Sequence, residues 1–210
     1  MQRMLTATLI LFAMTFIPAC GGGDDHAGHD HDAEHNAFAA VSKAVCVLSP
    51  TTGSDLQGVS GIVTLTQTKD GLLVEANVTG LKPDSKHGFH VHMWGDISDA
   101  ATGKATGGHY DPEGNDEHAL PEKEEHDGHS HMVTGKHAGD LGNLQADAEG
   151  NASYSENFEN ITLTGKNAVL GRGMIVHIKA DDGGQPTGNA GARVAQGVIG
   201  IADPDLTEVE

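Results

Sequence analysis

Apolar residues alternate with polar ones in short runs along most of the chain, a spacing that is typical of half-buried β-strands. In the run 72–79, every second residue from Leu72 to Val78 is apolar, so these side chains share one face of a strand. A similar run, 62–68, precedes it, and the Lys-Asp-Gly between the two predicts a hairpin. The same reasoning predicts further strands at residues 44–48, 89–94, 144–147, 152–155, 161–164, 173–180 and 195–202.

These short strands, each with one apolar face, predict an all-β fold of about eight strands in an antiparallel sandwich or barrel. Aromatic residues are scarce, and the 29 glycines favour turns over long helices. Residues 95–140 show no clear period. So long a loop in a compact domain indicates either a wrong assignment or a functional element, and its histidines favour the second.

The first forty residues differ in composition from the rest of the chain. Residues 1–19 combine Arg3 with an apolar run and a small residue at position 19, which predicts a secretory signal peptide, too short for a comfortable membrane span. The ending Ile-Pro-Ala-Cys resembles a bacterial lipobox and predicts lipidation of Cys20; plain secretion with an incidental cysteine is the alternative. Residues 20–40, rich in Gly, Asp and His, predict a flexible tether, and the folded domain is expected at 41–205.

The chain is strongly acidic, with a formal charge of −18. Removal of the signal peptide takes away Arg3 and no acid, so the mature chain is more acidic still. Twelve Lys and Arg residues do not supply the basic face that a nucleic-acid partner requires, and metal ions or a cationic partner fit better. After cleavage only Cys46 remains, in an apolar run, and we predict that it is a small buried residue.

Histidine is the residue type that points to chemistry. In the segment GFHVHMWGD, from Gly88 to Asp96, His90 and His92 lie two apart in a strand, so both imidazoles face the same way. Such a pair can hold one metal ion, stack in a polar patch or simply be exposed. Half of the 14 histidines lie in acidic, loop-like patches, namely His26, His29, His31, His35, His126, His129 and His131. The others lie in or near strands and the Gly-rich loop, namely His87, His90, His92, His109, His118, His137 and His177.

Five motifs in series resemble those of the Cu/Zn superoxide dismutase family, in the family's order: HGFHVHMWGD, GGHYDP, KHAGDLGN, VHIKADD and GNAGARVAQGVIGIA. The resemblance spans residues 42–203. It implies an eight-stranded antiparallel Greek-key β-sandwich or barrel with long metal-binding loops. It also implies copper and zinc as cofactors, and disproportionation of superoxide to dioxygen and hydrogen peroxide at a copper centre.

The resemblance also implies roles for individual residues. Copper would be held by His90, His92, His109 and His177, and zinc by His109, His118, His137 and Asp140. His109 would bridge the two metals. Asp181 matches a carboxylate that orients ligands of both metals, and Arg193 matches the arginine that guides and hydrogen-bonds the anionic substrate. His109 and Arg193 are therefore the candidate catalytic residues.

Four features depart from the family pattern. The loop 95–108 has no cysteine and Gln196 stands where the disulfide partner would be, so we expect a more mobile loop that depends on zinc for order. His118 follows His109 by nine residues, one more than the commonest family spacing. We favour His118 as the third zinc histidine; the alternatives are His126, His129 and His131. The third feature is an insertion at 122–135. The fourth is a short loop at 181–191, and it is this short loop that bears on the rate of substrate association.

The sequence thus predicts an exported superoxide dismutase, attached to a membrane by lipid at Cys20 and facing the periplasm or the cell exterior. The alternative function is a non-catalytic copper- and zinc-binding lipoprotein that buffers or transfers metal, which the His-rich tether and insertion would suit. The tether itself is either a weak metal-capturing segment or only a soluble spacer. A nucleic-acid partner is not expected, and the sequence leaves open whether the protein forms a homodimer.

Overall fold

The computed structural model describes residues 41–126 and 129–203. The predicted signal peptide (1–19), the lipidation site Cys20 and the tether (20–40) lie outside the described residues, as do the last two residues of the predicted domain 41–205. Those N-terminal assignments stay sequence predictions. Among the residues that the structure describes, no helix has the length and apolar character needed to cross a membrane.

Short β-strands make up nearly all of the regular structure. The first four are β1 (Lys43–Pro50), β2 (Ser60–Thr68), β3 (Gly71–Thr79) and β4 (Lys86–His92). A 3-10 turn, Lys104–Thr106, follows, and then come β5 (Glu122–His126) and β6 (His129–Val133). The remaining strands are β7 (Asp140–Gln145), β8 (Ala152–Phe158), β9 (Gly173–His177), β10 (Arg193–Val198) and β11 (Gly200–Ile201).

The strands form one curled sheet in the order β5-β6-β8-β3-β2-β1-β10-β9-β4-β7, and β11 pairs with β1. The named pairings are antiparallel except for one parallel contact between β6 and β8. Chain order and sheet order differ where the chain passes from β3 to β4 and from β7 to β8, which is a Greek-key arrangement. The Tyr154 hydroxyl on β8 donates to the Leu141 carbonyl on β7 at 2.9 Å and so links the two sides of the curl. The predicted all-β antiparallel fold is confirmed.

The core fills the inside of the curl. In β3, every second residue from Leu72 to Val78 is at most 2 % exposed, which confirms the predicted alternation. These side chains join Phe89 from β4 and Phe158 from β8 in one apolar cluster. Burying an aliphatic side chain of this size contributes about 1.5–3 kcal/mol. The single described cysteine, Cys46, is buried in the same cluster, and burial raises the pKa of its thiol to about 12.

One predicted strand is wrong and one hairpin was not predicted. Residues 161–164 form no strand: only Thr162 makes an isolated bridge, to Ala168, and the alternation arises because Ile161 and Leu163 point from an irregular segment into the core. Conversely, β5 and β6 form a hairpin within residues 95–140, where the sequence showed no period. Residues 122–125 are all exposed, so no buried face imposes an apolar pattern on them.

Hydrogen bonds hold the loop 95–108 at the place where the resemblance implied a disulfide. The Gln196 side chain on β10 is 4 % exposed, and its amide nitrogen donates to the carbonyls of Asp99 at 3.1 Å and Ile97 at 3.4 Å. Backbone amides of residues 52–53 donate to the carbonyls of residues 100–101 at 3.0 and 2.9 Å. The loop is therefore attached without a covalent link. Its expected dependence on bound zinc stays a prediction.

Replacing Gln196 by alanine is expected to destabilise the metal-free protein, because the carbonyls of Asp99 and Ile97 would lose their donor. We expect the free energy of unfolding in urea to fall by about 1–3 kcal/mol. The matched control is Gln145→Ala, an exposed glutamine, which is expected to change it by no more than about 0.5 kcal/mol. Equal losses in the two variants would contradict an anchoring role for Gln196.

Candidate metal centre

Two neighbouring strands place three histidines next to one another. In β4, all residues except Lys86 are buried, and His90 and His92 lie on the same face because they are two apart. The antiparallel neighbour β9 ends at His177. None of the three histidines is more than 6 % exposed. Their positions are thus fixed by the backbone of the sheet.

A fourth histidine, His109, reaches this face from the GGHYDP segment. That segment lies along β4: residues 92 and 109 form an isolated antiparallel bridge, and the Tyr110 amide donates to the Val91 carbonyl at 2.8 Å. His90, His92, His109 and His177 each offer a ligand atom, and these atoms lie within 4.8 Å of one another. We call these residues the four-histidine group.

In three of these rings, one nitrogen has no hydrogen-bond partner and the other nitrogen is held in place. The unpaired atoms are Nδ1 of His90 and Nε2 of His92 and His177. On the opposite side of each ring, Nε2 of His90 donates to Asp181 at 2.8 Å, while Nδ1 of His92 and of His177 donates to the carbonyls of Gly107 at 2.9 Å and Gly191 at 3.0 Å. With that proton assignment every unpaired nitrogen carries a lone pair, which is the state that binds a metal ion.

A second set of donors adjoins the first and shares His109. It consists of His109, His118, His137 and Asp140, again with ligand atoms within 4.8 Å of one another, and we call it the carboxylate group. The carboxylate oxygens of Asp140 lie 2.7, 3.0 and 3.2 Å from Nδ1 of His109, His118 and His137, respectively. Ligand atoms on a tetrahedral ion with metal–nitrogen distances of about 2.0–2.1 Å are about 3.3 Å apart, so this spacing suits one such ion.

The carboxylate of Asp181 links the two groups. It accepts from Nε2 of His90 at 2.8 Å and from Nε2 of His118 at 2.9 Å, and it is itself only 3 % exposed. The Asn143 side chain fixes the Asp181 backbone by bonding both its amide and its carbonyl, at 2.8 and 2.9 Å. Gly188 covers the carboxylate: a Cβ there would lie 2.0 Å from Oδ1, and its φ of +77° is one that side chains rarely adopt.

Burial and the two carboxylates set opposite protonation preferences in the two groups. Burial lowers the pKa of His90 to about 4 and lowers the pKa of His92 and His177 well below the ordinary value, so these rings are neutral at pH 7. Burial also opposes protonation of His118, but Asp140 and Asp181 outweigh it and raise its pKa to about 9. A cation is therefore favoured in the carboxylate group, whether it is a proton or a metal ion.

An open cavity of about 400 Å³ leads to the four-histidine group. Its lining includes His92, His109 and His177 and two cationic side chains, Lys104 and Arg193. An anion that enters this cavity lies next to three rings of the four-histidine group and next to two positive charges.

The guanidinium of Arg193 is fixed by the loop 95–108. Nη1 donates to the Gly103 carbonyl at 2.5 Å and to the Thr106 hydroxyl at 3.0 Å, and Nη2 donates to the Gly107 carbonyl at 2.6 Å. On the sheet, Arg193 lies directly opposite His177 across the β9–β10 ladder. The guanidinium is therefore held beside the four-histidine group rather than free to swing into solvent.

The structure brings together the residues that the sequence singled out for these sites: His90, His92, His109, His177, His118, His137, Asp140, Asp181 and Arg193. His118 belongs to the carboxylate group, although it follows His109 by one residue more than the commonest family spacing. His87 lies outside both groups, and its ring nitrogens bond the His177 carbonyl and the Ser85 hydroxyl. Two further residues of the site, Lys104 and Asn143, were not predicted from the sequence. Asn143 ends the KHAGDLGN motif, whereas no motif contains Lys104.

Comparison with protein-family models identifies one family. A sequence model described as copper/zinc superoxide dismutase (SODC) matches residues 59–199, a span that contains both donor groups, Asp181 and Arg193. Among solved structures, the chain is similar to the crystal structure of the clock protein EA4, with 37 % sequence identity and a TM-score of 0.63. That alignment covers 77 % of this chain and 95 % of the other.

The metal-free protein is expected to lose stability as the pH falls from 6.5 to 5. Histidines of the unfolded chain take up protons near their ordinary pKa of 6.5, whereas burial lowers the folded-state pKa values of His90, His92 and His177. The unfolded state then binds more protons, so acidification favours unfolding. His118 does not offset this, because its contribution is lost only as the pH rises from 6.5 through about 9 and is fully present below 6.5. A Tm that stays constant or rises between pH 6.5 and 5 would contradict the expectation.

Replacing Asp181 by asparagine is expected to weaken the binding of both ions. The amide keeps the shape of the side chain but removes the charge that orients His90 and His118, and losing such a partner typically costs 10- to 100-fold in metal affinity. Zn²⁺ and Cu²⁺ affinities would be measured by competition with a chelator. The control is Asp182→Asn, a change at the neighbouring exposed residue, which is expected to keep the wild-type affinities. Wild-type affinities in Asp181→Asn would contradict an orienting role for this carboxylate.

Proposed function

The chain belongs to the copper/zinc superoxide dismutase family, and we propose that it converts two superoxide anions and two protons into dioxygen and hydrogen peroxide. One observation carries the proposal. Unpaired lone pairs of His90, His92 and His177 belong to one compact donor group, and two of these rings line an open cavity together with the fixed guanidinium of Arg193. A metal ion and a small anion can meet there.

We assign copper to the four-histidine group and zinc to the carboxylate group. Neutral imidazoles suit copper, and three imidazoles with one carboxylate form an ordinary tetrahedral zinc set. Copper would supply the two oxidation states that dismutation requires, whereas zinc has one and would order the loop and orient His109. Access from the cavity supports this assignment. The four-histidine group contributes His92, His109 and His177 to the cavity lining, whereas the carboxylate group contributes only the shared His109.

His109 is the residue through which the two groups can act together. Its Nδ1 faces the Asp140 carboxylate at 2.7 Å, which leaves Nε2 for the four-histidine side. The overall reaction consumes two protons, and the His109 ring lines the cavity, where its second nitrogen could hold a proton and deliver it to the reduced product. We therefore propose a proton-transfer role for His109 in addition to its place in both donor sets.

Local cations offset the acidic charge of the chain near the cavity. The formal charge of −18 would repel superoxide, but surface charges more than about 8 Å away are largely screened at physiological ionic strength. Arg193 stays charged at neutral pH although burial lowers its pKa, and Lys104 lines the same cavity. We propose that these two side chains attract the anion and that Arg193 also hydrogen-bonds it.

A second candidate function is the binding of copper and zinc without catalysis, by a protein that buffers or transfers metal. The additional histidines of the insertion 122–135 favour it, and the 37 % identical solved relative is named as a clock protein. The guanidinium of Arg193 favours the enzyme, because a metal buffer has no use for an anion-binding group beside its ions. We therefore place catalysis first.

We also propose that the protein is exported and attached to a membrane through Cys20. This proposal is supported by the signal-like residues 1–19 and the Ile-Pro-Ala-Cys ending. A periplasmic or extracellular position would expose the enzyme to superoxide formed outside the cytoplasm. The tether 20–40 would then separate the folded domain from the membrane.

The catalytic proposal is tested by superoxide removal after loading with copper and zinc, in the presence of a chelator that sequesters free copper. Wild type is expected to be active. Arg193→Ala is expected to lower kcat/KM about 10- to 100-fold, which corresponds to the loss of a charge-assisted hydrogen bond of about 1.5–3 kcal/mol. His109→Ala is expected to lose more, because it removes a member of both donor groups.

Lys69→Ala is the matched control for loss of a positive charge, since the Lys69 side chain is 87 % exposed and belongs to the β2–β3 turn, away from the cavity. It is expected to keep wild-type activity. A wild-type protein that binds both metals but removes no superoxide would reject the enzyme and leave the metal-binding function. Equal activities for Arg193→Ala and Lys69→Ala would reject the anion-binding role of Arg193.

A further inference from the structure

The backbone around His118 is irregular, whereas His90, His92 and His177 lie on strands. Among the described residues, the stretch 111–121 contains no helix or strand, and residues 112–117 are all exposed. His118 is nevertheless only 3 % exposed, and its Nδ1 lies 3.0 Å from the Asp140 carboxylate. A sheet ladder therefore does not fix the position of His118, and contacts from another part of the chain have to hold it there.

The side chain of Gln185 bonds both polar groups of the His118 backbone. Its Oε1 accepts from the His118 amide at 2.8 Å, and its Nε2 donates to the His118 carbonyl at 2.8 Å. A primary amide carries a donor and an acceptor side by side, so it can satisfy one residue in both directions, as a neighbouring strand does. The two residues are 67 positions apart in the chain. We call this pair of hydrogen bonds the Gln185 clamp.

The loop 181–191, which carries Gln185, is closed by its own backbone. The Asp182 amide donates to the Gly188 carbonyl at 3.0 Å, and the Gly188 amide donates to the Gly184 carbonyl at 2.6 Å. Gln185 lies in the turn between these bonded residues. Its backbone is therefore constrained independently of the contact with His118.

The same loop contacts the ring of His118 as well as its backbone. Asp181, at the start of the loop, accepts from Nε2 at 2.9 Å, and a Cβ on Gly188 would lie 2.8 Å from that nitrogen. One loop thus holds the peptide of His118 through Gln185 and the far side of its ring through Asp181. With both held, Nδ1 stays at the Asp140 carboxylate.

We propose that Gln185 is a positioning residue for zinc in the carboxylate group and that it acts through His118. Two departures from the family pattern meet at this contact, namely the additional residue between His109 and His118 and the short loop 181–191. An additional residue in irregular backbone gives His118 more conformations, and the Gln185 clamp restricts them. The inference rests on the proposed assignment of zinc to the carboxylate group and does not depend on superoxide removal.

The physical basis of this role is preorganisation. Without the Gln185 clamp, zinc would have to order the stretch 111–121 when it binds, and that entropic cost would reduce its affinity. The stability of the metal-free protein should change much less, because Gln185 is exposed and water can replace the lost hydrogen bonds. The clamp therefore acts on zinc affinity more than on the fold.

The test is Zn²⁺ binding to the metal-free full chain in competition with a chelator of known affinity. Gln185→Ala is expected to bind the tightest zinc about 10-fold more weakly than wild type, the lower end of the loss for a residue that orients a metal ligand. Gln185→Met keeps the length of the side chain without its hydrogen bonds and is expected to match Gln185→Ala. The matched control is Gln145→Ala, another exposed glutamine, which is expected to keep the wild-type affinity.

Two further measurements distinguish positioning from a purely structural role. The Tm of metal-free Gln185→Ala is expected to stay within about 3 °C of wild type. The rise in Tm on adding zinc is expected to be smaller than in wild type, because that rise follows the affinity. With Co²⁺ as the probe in place of zinc, the visible absorption spectrum reports the coordination geometry and is expected to differ between wild type and Gln185→Ala.

The proposal is overturned if Gln185→Ala or Gln185→Met binds zinc as tightly as wild type, or if the Co²⁺ spectrum is unchanged. It is also overturned if the metal-free Tm falls as far as the zinc-loaded Tm, since Gln185 would then support only the fold. Asp140→Asn identifies the ion that is measured. If it keeps the tightest zinc, the zinc assignment fails together with this proposal; if it loses that zinc while Gln185→Ala does not, only the positioning role fails.

Discussion

The structure is organised around three buried ring nitrogens that have no hydrogen-bond partner within the protein. Leaving a buried polar atom unpaired typically costs about 1–3 kcal/mol, so Nδ1 of His90 and Nε2 of His92 and His177 would favour another arrangement if the backbone allowed one. Adjacent strands and a hydrogen bond at the far side of each ring prevent that relaxation. The fold therefore maintains a set of lone pairs whose cost is offset when a cation binds.

The loop 95–108 is the element that connects metal binding to anion binding. The Gly107 carbonyl accepts both from Nδ1 of His92 at 2.9 Å and from Nη2 of Arg193 at 2.6 Å, so one peptide group orients an imidazole and a guanidinium together. Gln196 attaches the same loop to β10 through the carbonyls of residues 97 and 99. Because no thiol takes part, this attachment does not depend on the redox potential of the surroundings, as a disulfide would.

The sequence predicted the parts of the molecule in which one local period or one motif carries the information. Alternation located β3, because a strand with one buried face must repeat every two residues, and the spacing of His90 and His92 placed both rings on one face. It failed where burial comes from tertiary packing of irregular backbone, as at residues 161–164. It also failed at β5, where residues 122–125 are all exposed and so carry no apolar alternation. Lys104 reaches the cavity only through the path of its loop, which no local pattern encodes.

The geometry at the base of the β5–β6 hairpin explains how an insertion can lie between two members of a donor group without separating them. A Cβ on Gly135 would lie 1.8 Å from the Ala119 carbonyl oxygen, so the outgoing and returning segments are in direct contact where the hairpin begins and ends. The distance between His118 and His137 is thus set by that contact and by Asp140, not by the number of residues in the hairpin. Since loop-closure entropy grows only slowly with length, residues added beyond the contact cost the internal centre little.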